Sequence, residues 1–224
     1  MSIAENILEL KAKLPGGVQL VAVSKTKPNE SIMEAYNGGH LVFGENKPQE
    51  LARKHLELPK DIQWHFIGHL QTNKVKYIAP FVSLIHAVDS LKLLQIINKE
   101  AEKNNRTINY LLQMHIAEES TKFGLSRNKI EELIKQDQFR SLTKVNLVGL
   151  MGMATYTKDQ DQIRSEFRNL KSLFQDLKIS QFSDKPDFKE LSFGMSDDYQ
   201  LAIEEGSTMV RIGSSIFGER NYPI

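Results

Sequence analysis

Cysteine is absent from this sequence. That excludes disulfides, thiolate catalysis and cysteine-ligated metal sites, and it fits a reducing compartment. Net charge is nearly absent too, with 29 Lys and Arg against 28 Asp and Glu for a formal +1. No bulk field therefore draws the chain toward nucleic acid or an anionic membrane. No apolar run approaches the ~20 residues of a membrane-spanning helix. The start, Met1-Ser2-Ile3-Ala4-Glu5-Asn6, lacks the basic-then-apolar pattern of a signal peptide. The expectation is a cytoplasmic protein with no membrane or nucleic-acid partner. Low-complexity segments and sequence repeats are missing as well. No G-x-G-x-x-G follows the first strand, which weakens a dinucleotide-binding reading.

What is present is an alternation. The 224 residues, 40% hydrophobic and 25% charged, suffice for one domain with a substantial core. Short apolar runs of strand length fall at 18–23, 41–43, 62–67, 84–87, 108–116, 145–150, 190–193 and 209–212. Amphipathic or capped stretches separate nearly all of them, at 48–58, 72–78, 90–104, 126–136, 159–177 and 196–205, with another opening at Pro28. A further amphipathic helix over 2–13 precedes the first strand. The polar segment 178–189, with Pro186, reads as a loop. Repeated βα units imply parallel strands with right-handed crossovers. About eight units in this length favour a closed barrel over an open doubly wound sheet. The predicted fold is therefore α/β: one (β/α)8 TIM-type barrel domain over 1–224, with an extra N-terminal helix.

Barrels place their chemistry at the C-terminal ends of the strands. Lys25 directly follows the Val21-Ala22-Val23-Ser24 run. Either it is an exposed strand-end lysine, or it enters a pocket, where loss of hydration favours a nucleophilic amine that attacks aldehydes. Gly213-Ser214-Ser215 follows the last strand, where barrels often bind phosphate. Ser196, after Gly194-Met195 on the seventh loop, is a plain helix N-cap or a second phosphate ligand. Arg211 alternates with Val210 and Ile212, so it faces the interior and needs a partner there. That partner is a barrel carboxylate or an acceptor on a ligand. His65 and His69 stand four apart, but across a strand and a loop that spacing defines no shared face, and no metal site is expected. His40, His55, His86 and His115 form no pattern.

These stretches match a known family. AVSKTKP (22–28), FGENKPQE (43–50), WHFIGHLQTNK (64–74), KFGL (122–125), GLMGMA (149–154) and the block 191–222 resemble the YggS/PROSC family of pyridoxal 5′-phosphate (PLP)-binding proteins, the PLP homeostasis proteins. The resemblance implies a barrel like the N-terminal domain of alanine racemases. It implies PLP held as an internal aldimine on Lys25, with Arg211 near the pyridine nitrogen. Ser196, Gly213 and Ser214 would hold the phosphate. Asn46 and Met151 would line the pocket, with His65, Lys122 and Met195 nearby.

The same resemblance bears on catalysis. An arginine at the ring nitrogen disfavours its protonation and weakens the electron sink. Racemases of this type draw a second base from a further C-terminal domain and a partner subunit. Here the sequence stops at Tyr222-Pro223-Ile224, and Lys25 is the one evident base. The end also lacks the lysines some relatives carry, leaving Lys27 as the nearby second lysine. The expected role is a monomeric carrier serving PLP homeostasis, with apo-enzymes as partners and little or no catalysis. The alternatives are a slow PLP-dependent amino-acid racemase or other PLP enzyme, and a Schiff-base aldolase without PLP.

Overall fold

The computed structural model describes residues 2–119 and 122–218. Helix α1 (Ile3–Lys13) opens on a capping box: Ser2 Oγ accepts from Glu5 N at 3.2 Å, and Ser2 N donates to Glu5 Oε2 at 2.7 Å. Its apolar stripe buries Ile7 and Leu10, and it packs on the helices at Asn29–Asn37 and Ser214–Phe217. Then β1 (Gln19–Val23), α2 (Asn29–Asn37), β2 (Val42–Glu45), α3 (Pro48–Glu57) and β3 (Gln63–Phe66) follow. A 3-10 helix (Thr72–Tyr77) leads to β4 (Leu84–Val88), α4 (Leu91–Lys103) and β5 (Ile108–Gln113). The rest is α5 (Arg127–Lys135), α6 (Asp137–Arg140), β6 (Val145–Met151), α7 (Gln160–Ser180), β7 (Glu190–Ser192), α8 (Tyr199–Glu204), β8 (Met209–Ile212) and α9 (Ser214–Phe217).

The strands pair in chain order, all parallel, and β1 closes on β8 with Gln19 opposite Met209 and Ala22 opposite Ile212. Closure removes sheet edges. This is the (β/α)8 barrel the alternation predicts, with α1 as the extra helix. Alternation along the strands sorts the side chains into two layers. Leu20, Ala22, Val210 and Ile212 pack outward against the helices in the larger core. Val21, Leu84, Leu111, Val148, Met151 and Met209 form a separate cluster inside the lumen.

Several boundaries differ from the sequence expectation. The apolar run at 114–116 outlasts β5, because Met114 leaves the sheet and bridges Leu125. Register shifts where Leu111 pairs with Gly149 rather than Val148. Gly149 serves that bulge, since a Cβ there would lie 1.8 Å from the Glu190 carbonyl oxygen. Helix α7 takes the first turn of the expected 178–189 loop. Helix α8 starts at Tyr199, not at 196. The four-residue helices α6 and α9 are too short to show periodicity.

Candidate functional site

Lys25 continues the inward alternation of Val21 and Val23, two residues past them on the same face. It is half-buried and lines a cavity of about 420 Å³. Asn46, Ser196, Arg211, Gly213 and Ser214 lie on the same wall. Six of the seven cofactor positions implied by the resemblance thus converge at the C-terminal mouth of the barrel. Met151 is the seventh. It is fully buried in the lumen cluster, and Met153, two residues on, lines the cavity instead. Met195 also lines it. The volume lies within the range of ordinary small-molecule pockets.

Arg211 is buried, and its partners are neutral oxygens rather than a barrel carboxylate. Nη1 donates to the Ser192 carbonyl at 2.8 Å and to Ser192 Oγ at 2.7 Å, and Nη2 donates to the Gly152 carbonyl at 3.1 Å. Burial pushes its pKa down to about 10, opposed by the charge of Asp198, so it stays protonated at neutral pH. A guanidinium has five donors. Three make these bonds among the described residues, and the side chain lines the cavity.

The network runs deeper. His86 Nδ1 lies 2.9 Å from Ser192 Oγ, and His86 Nε2 lies 3.0 Å from His65 Nδ1. The cation sets the direction of this chain. Ser192 Oγ accepts from Arg211, so its own hydrogen turns to His86 Nδ1. His86 then carries its hydrogen on Nε2 and donates it to His65. Both imidazoles are neutral: burial lowers His65 to about 3 and His86 well below the ordinary value. His65 therefore lies beneath the cavity and opens toward the floor of the barrel. His69 takes a different course, stacking on Phe123 at 4.0 Å on the cavity wall.

Ser196 sits in the turn ahead of α8 and caps no helix there; its Oγ accepts from Gly213 N at 3.3 Å. That bond joins the seventh and eighth loops, the pair singled out as phosphate ligands. Asp198 Oδ1 accepts from Met195 N at 2.5 Å and fixes the same turn. Gly213 has little room for a side chain, since a Cβ would stand 3.2 Å from the Val23 carbonyl oxygen.

Asn46 reaches the wall because Gly68 yields to it: a Cβ at 68 would lie 2.5 Å from the Asn46 carbonyl oxygen. Asn46 Oδ1 is buried with no hydrogen-bond partner among the described residues. An orphaned acceptor on a residue of the cavity wall is what a site shaped for a polar ligand leaves behind. Lys27 also lines the cavity, with Nζ donating to the Phe217 carbonyl at 2.9 Å. Lys122 turns away, to the Ala154 carbonyl at 2.5 Å and to Glu119 at 3.0 Å. Ser120 and Thr121 of that loop, and residues 219–224 with the lysine-free end, lie outside the described residues.

Sequence reasoning left His69 and His86 without a role and did not single out Ser192, Met153 or Tyr156. Inward alternation from Leu84 points to His86, but a single histidine in a strand carries no message until its partners are known.

The comparisons decide the family. The family described as "Alanine racemase, N-terminal domain" matches residues 1–221. The chain belongs to that family. It is 42% identical to a pyridoxal phosphate homeostasis protein of Aquifex aeolicus over 205 residues, covering 91% of this chain and 88% of that protein. It is 39% identical to one of Vibrio alginolyticus over 215 residues, covering 94% and 90%. Among solved structures it resembles PipY of Synechococcus elongatus with PLP bound, at 34% identity and a TM-score of 0.87, covering 97% of this chain and all of that one. Alanine racemase of E. faecalis, at 14% identity and a TM-score of 0.71, shares the fold; the match covers 97% of this chain and 58% of that one.

Proposed function

We propose that this chain is a pyridoxal phosphate homeostasis protein, one barrel domain that holds PLP on Lys25 in the cytoplasm and releases it to apo-enzymes. The observation that carries the reading is the convergence of Lys25, Arg211, Ser196 and Gly213 on one cavity. Curated relatives covering most of this chain carry that name, and PipY binds PLP.

The residues fit the group. PLP supplies an aldehyde, a phosphate and a pyridine ring. Lys25 offers an amine that condenses with the aldehyde and releases water. Ser196 and Ser214 offer hydroxyls, and the Gly213 backbone offers a close approach, for the phosphate. Arg211 would offer a donor to the ring nitrogen, and Asn46 Oδ1 would accept from a ring substituent. Because Arg211 is a donor only, it would favour an unprotonated ring nitrogen. The electron sink is then weak, which favours holding the cofactor over using it. We propose a monomer.

A slow amino-acid racemase is the second reading, and one observation favours it. His69 and Tyr156 line the same cavity as Lys25, so side chains able to move a proton share the site with it. Loading with PLP and adding amino acids deuterated at Cα separates the two. A carrier exchanges deuterium no faster than free PLP and passes its PLP to an apo-enzyme. Rapid exchange or racemisation overturns the carrier reading.

A further inference from the structure

The backbone around Lys25 is gripped from behind by charge. Lys54, on α3, is wholly buried. Its Nζ donates to the Ser24 carbonyl at 2.9 Å, to Glu45 Oε1 at 2.7 Å and to Glu50 Oε1 at 2.8 Å. An ammonium has three donors, so all are used. Each carboxylate in turn holds a neighbour of Lys25. Ser24 Oγ donates to Glu45 Oε1 at 2.6 Å, and Thr26 N donates to Glu50 Oε1 at 2.8 Å. The residue before Lys25 is therefore tied twice and the residue after it once.

Thr26 adopts φ 65°. That left-handed region is unfavourable for a β-branched residue. A strained residue persists where its surroundings impose it; here Lys27 N closes the turn on the Ser24 carbonyl at 3.0 Å, and the Glu50 carboxylate holds the Thr26 N–H from outside it. Packing of α3 on β2 and β3 does not call for this cluster, because well-packed apolar side chains fill such a space at no charge-desolvation cost. A buried ionic group bridging both flanks of one residue makes sense if that residue must be aimed.

We propose that Glu50 is a positioning residue for Lys25: held by Lys54, which Glu45 fixes in turn, it helps keep Thr26 in its left-handed turn and so directs the Lys25 side chain from the end of β1 into the cavity. The proposal rests on Lys25 being the point of PLP attachment. Glu50 is not on the cavity wall, so it acts on the lysine through the backbone and not on the cofactor.

Two readouts on one set of variants test it. The first is the rate at which PLP becomes trappable on the protein by borohydride. The second is the affinity for pyridoxine 5′-phosphate, which keeps the ring and phosphate but has an alcohol in place of the aldehyde and cannot be attached. Glu50→Ala should slow attachment about tenfold, since small misplacements of a reacting group cost that much or more. Its affinity for pyridoxine 5′-phosphate should stay within about twofold of wild type. Glu50→Gln keeps an oxygen for the Thr26 N–H and should recover most of the rate. Glu50→Ala combined with Thr26→Gly should attach faster than Glu50→Ala alone, because glycine enters the left-handed turn unaided. If Glu50→Ala does not melt cooperatively, the double variant carries the test with an attachment rate between about a tenth and all of wild type and unchanged analogue affinity. Attachment at the wild-type rate in Glu50→Ala, or attachment and analogue binding falling together in every folded variant, overturns the proposal. Failure of the Lys25 reading has a different signature: wild-type trapping in Lys25→Ala.

Discussion

One guanidinium nitrogen of Arg211 makes two hydrogen bonds to a single residue, reaching the Ser192 carbonyl at 2.8 Å and the Ser192 hydroxyl at 2.7 Å. The same hydroxyl meets His86 at 2.9 Å, so Ser192 joins the cation at the cavity to the histidine pair beneath it. Ser192→Ala removes the joint while sparing the cavity wall. It should destabilise the fold by about 1–3 kcal/mol, the cost of leaving a buried polar group unpaired, and loosen Arg211 enough to weaken PLP retention. Denaturant melts and PLP titration check both effects.

Arg211→Lys keeps the charge but loses the planar fork. Ser192 and Gly152 then lose donors, and the ligand loses its directed contact. PLP affinity should fall at least about tenfold, an order-of-magnitude expectation for one charge-assisted hydrogen bond. Unchanged affinity would count against the Arg211 contact.

The neutral histidine pair predicts a pH dependence with a definite sign. Burial lowers His65 to about 3 and holds His86 well below the ordinary value, while both return to the ordinary range near 6.5 on unfolding. Below 6.5 the unfolded chain binds more protons, so stability is full above that pH and drains as pH falls. At about pH 4.5 His65 alone removes about 3 kcal/mol. His65→Asn should take up about one proton fewer on unfolding in that window. Identical proton uptake in the two proteins would contradict the buried neutral state.

Much of the architecture was legible in the sequence because periodicity survives without tertiary knowledge. The alternation around Arg211 placed it inside, and the run ending at Val23 placed Lys25 at a strand terminus. The family motifs named Asn46, which no pattern marks. What stayed hidden depends on contacts between distant segments. His86 and Ser192 are 106 positions apart and meet only because the barrel closes. Ser196 looked like a helix cap until the turn at 196–198 delayed α8 to Tyr199. The difference between Met151 and Met153 turns on where β6 ends, which composition does not fix.

Gly68 tests the wall from another side. A Cβ at 68 meets the Asn46 backbone at 2.5 Å, so Gly68→Ala must displace Asn46. It should cost about 1–3 kcal/mol of stability, as overpacking does, and lower PLP affinity. Gly16→Ala, where nothing lies within 4 Å, should change neither and serves as the control.

Lys25 carries the central claim, and trapping tests it most directly. The protein is loaded with PLP, reduced with borohydride, digested and mapped by mass spectrometry. A single phosphopyridoxyl mark on the peptide bearing Lys25, absent from Lys25→Ala, is the predicted result. A mark on Lys27 or elsewhere with Lys25 unmodified, or full labelling of the Lys25→Ala protein, would contradict it.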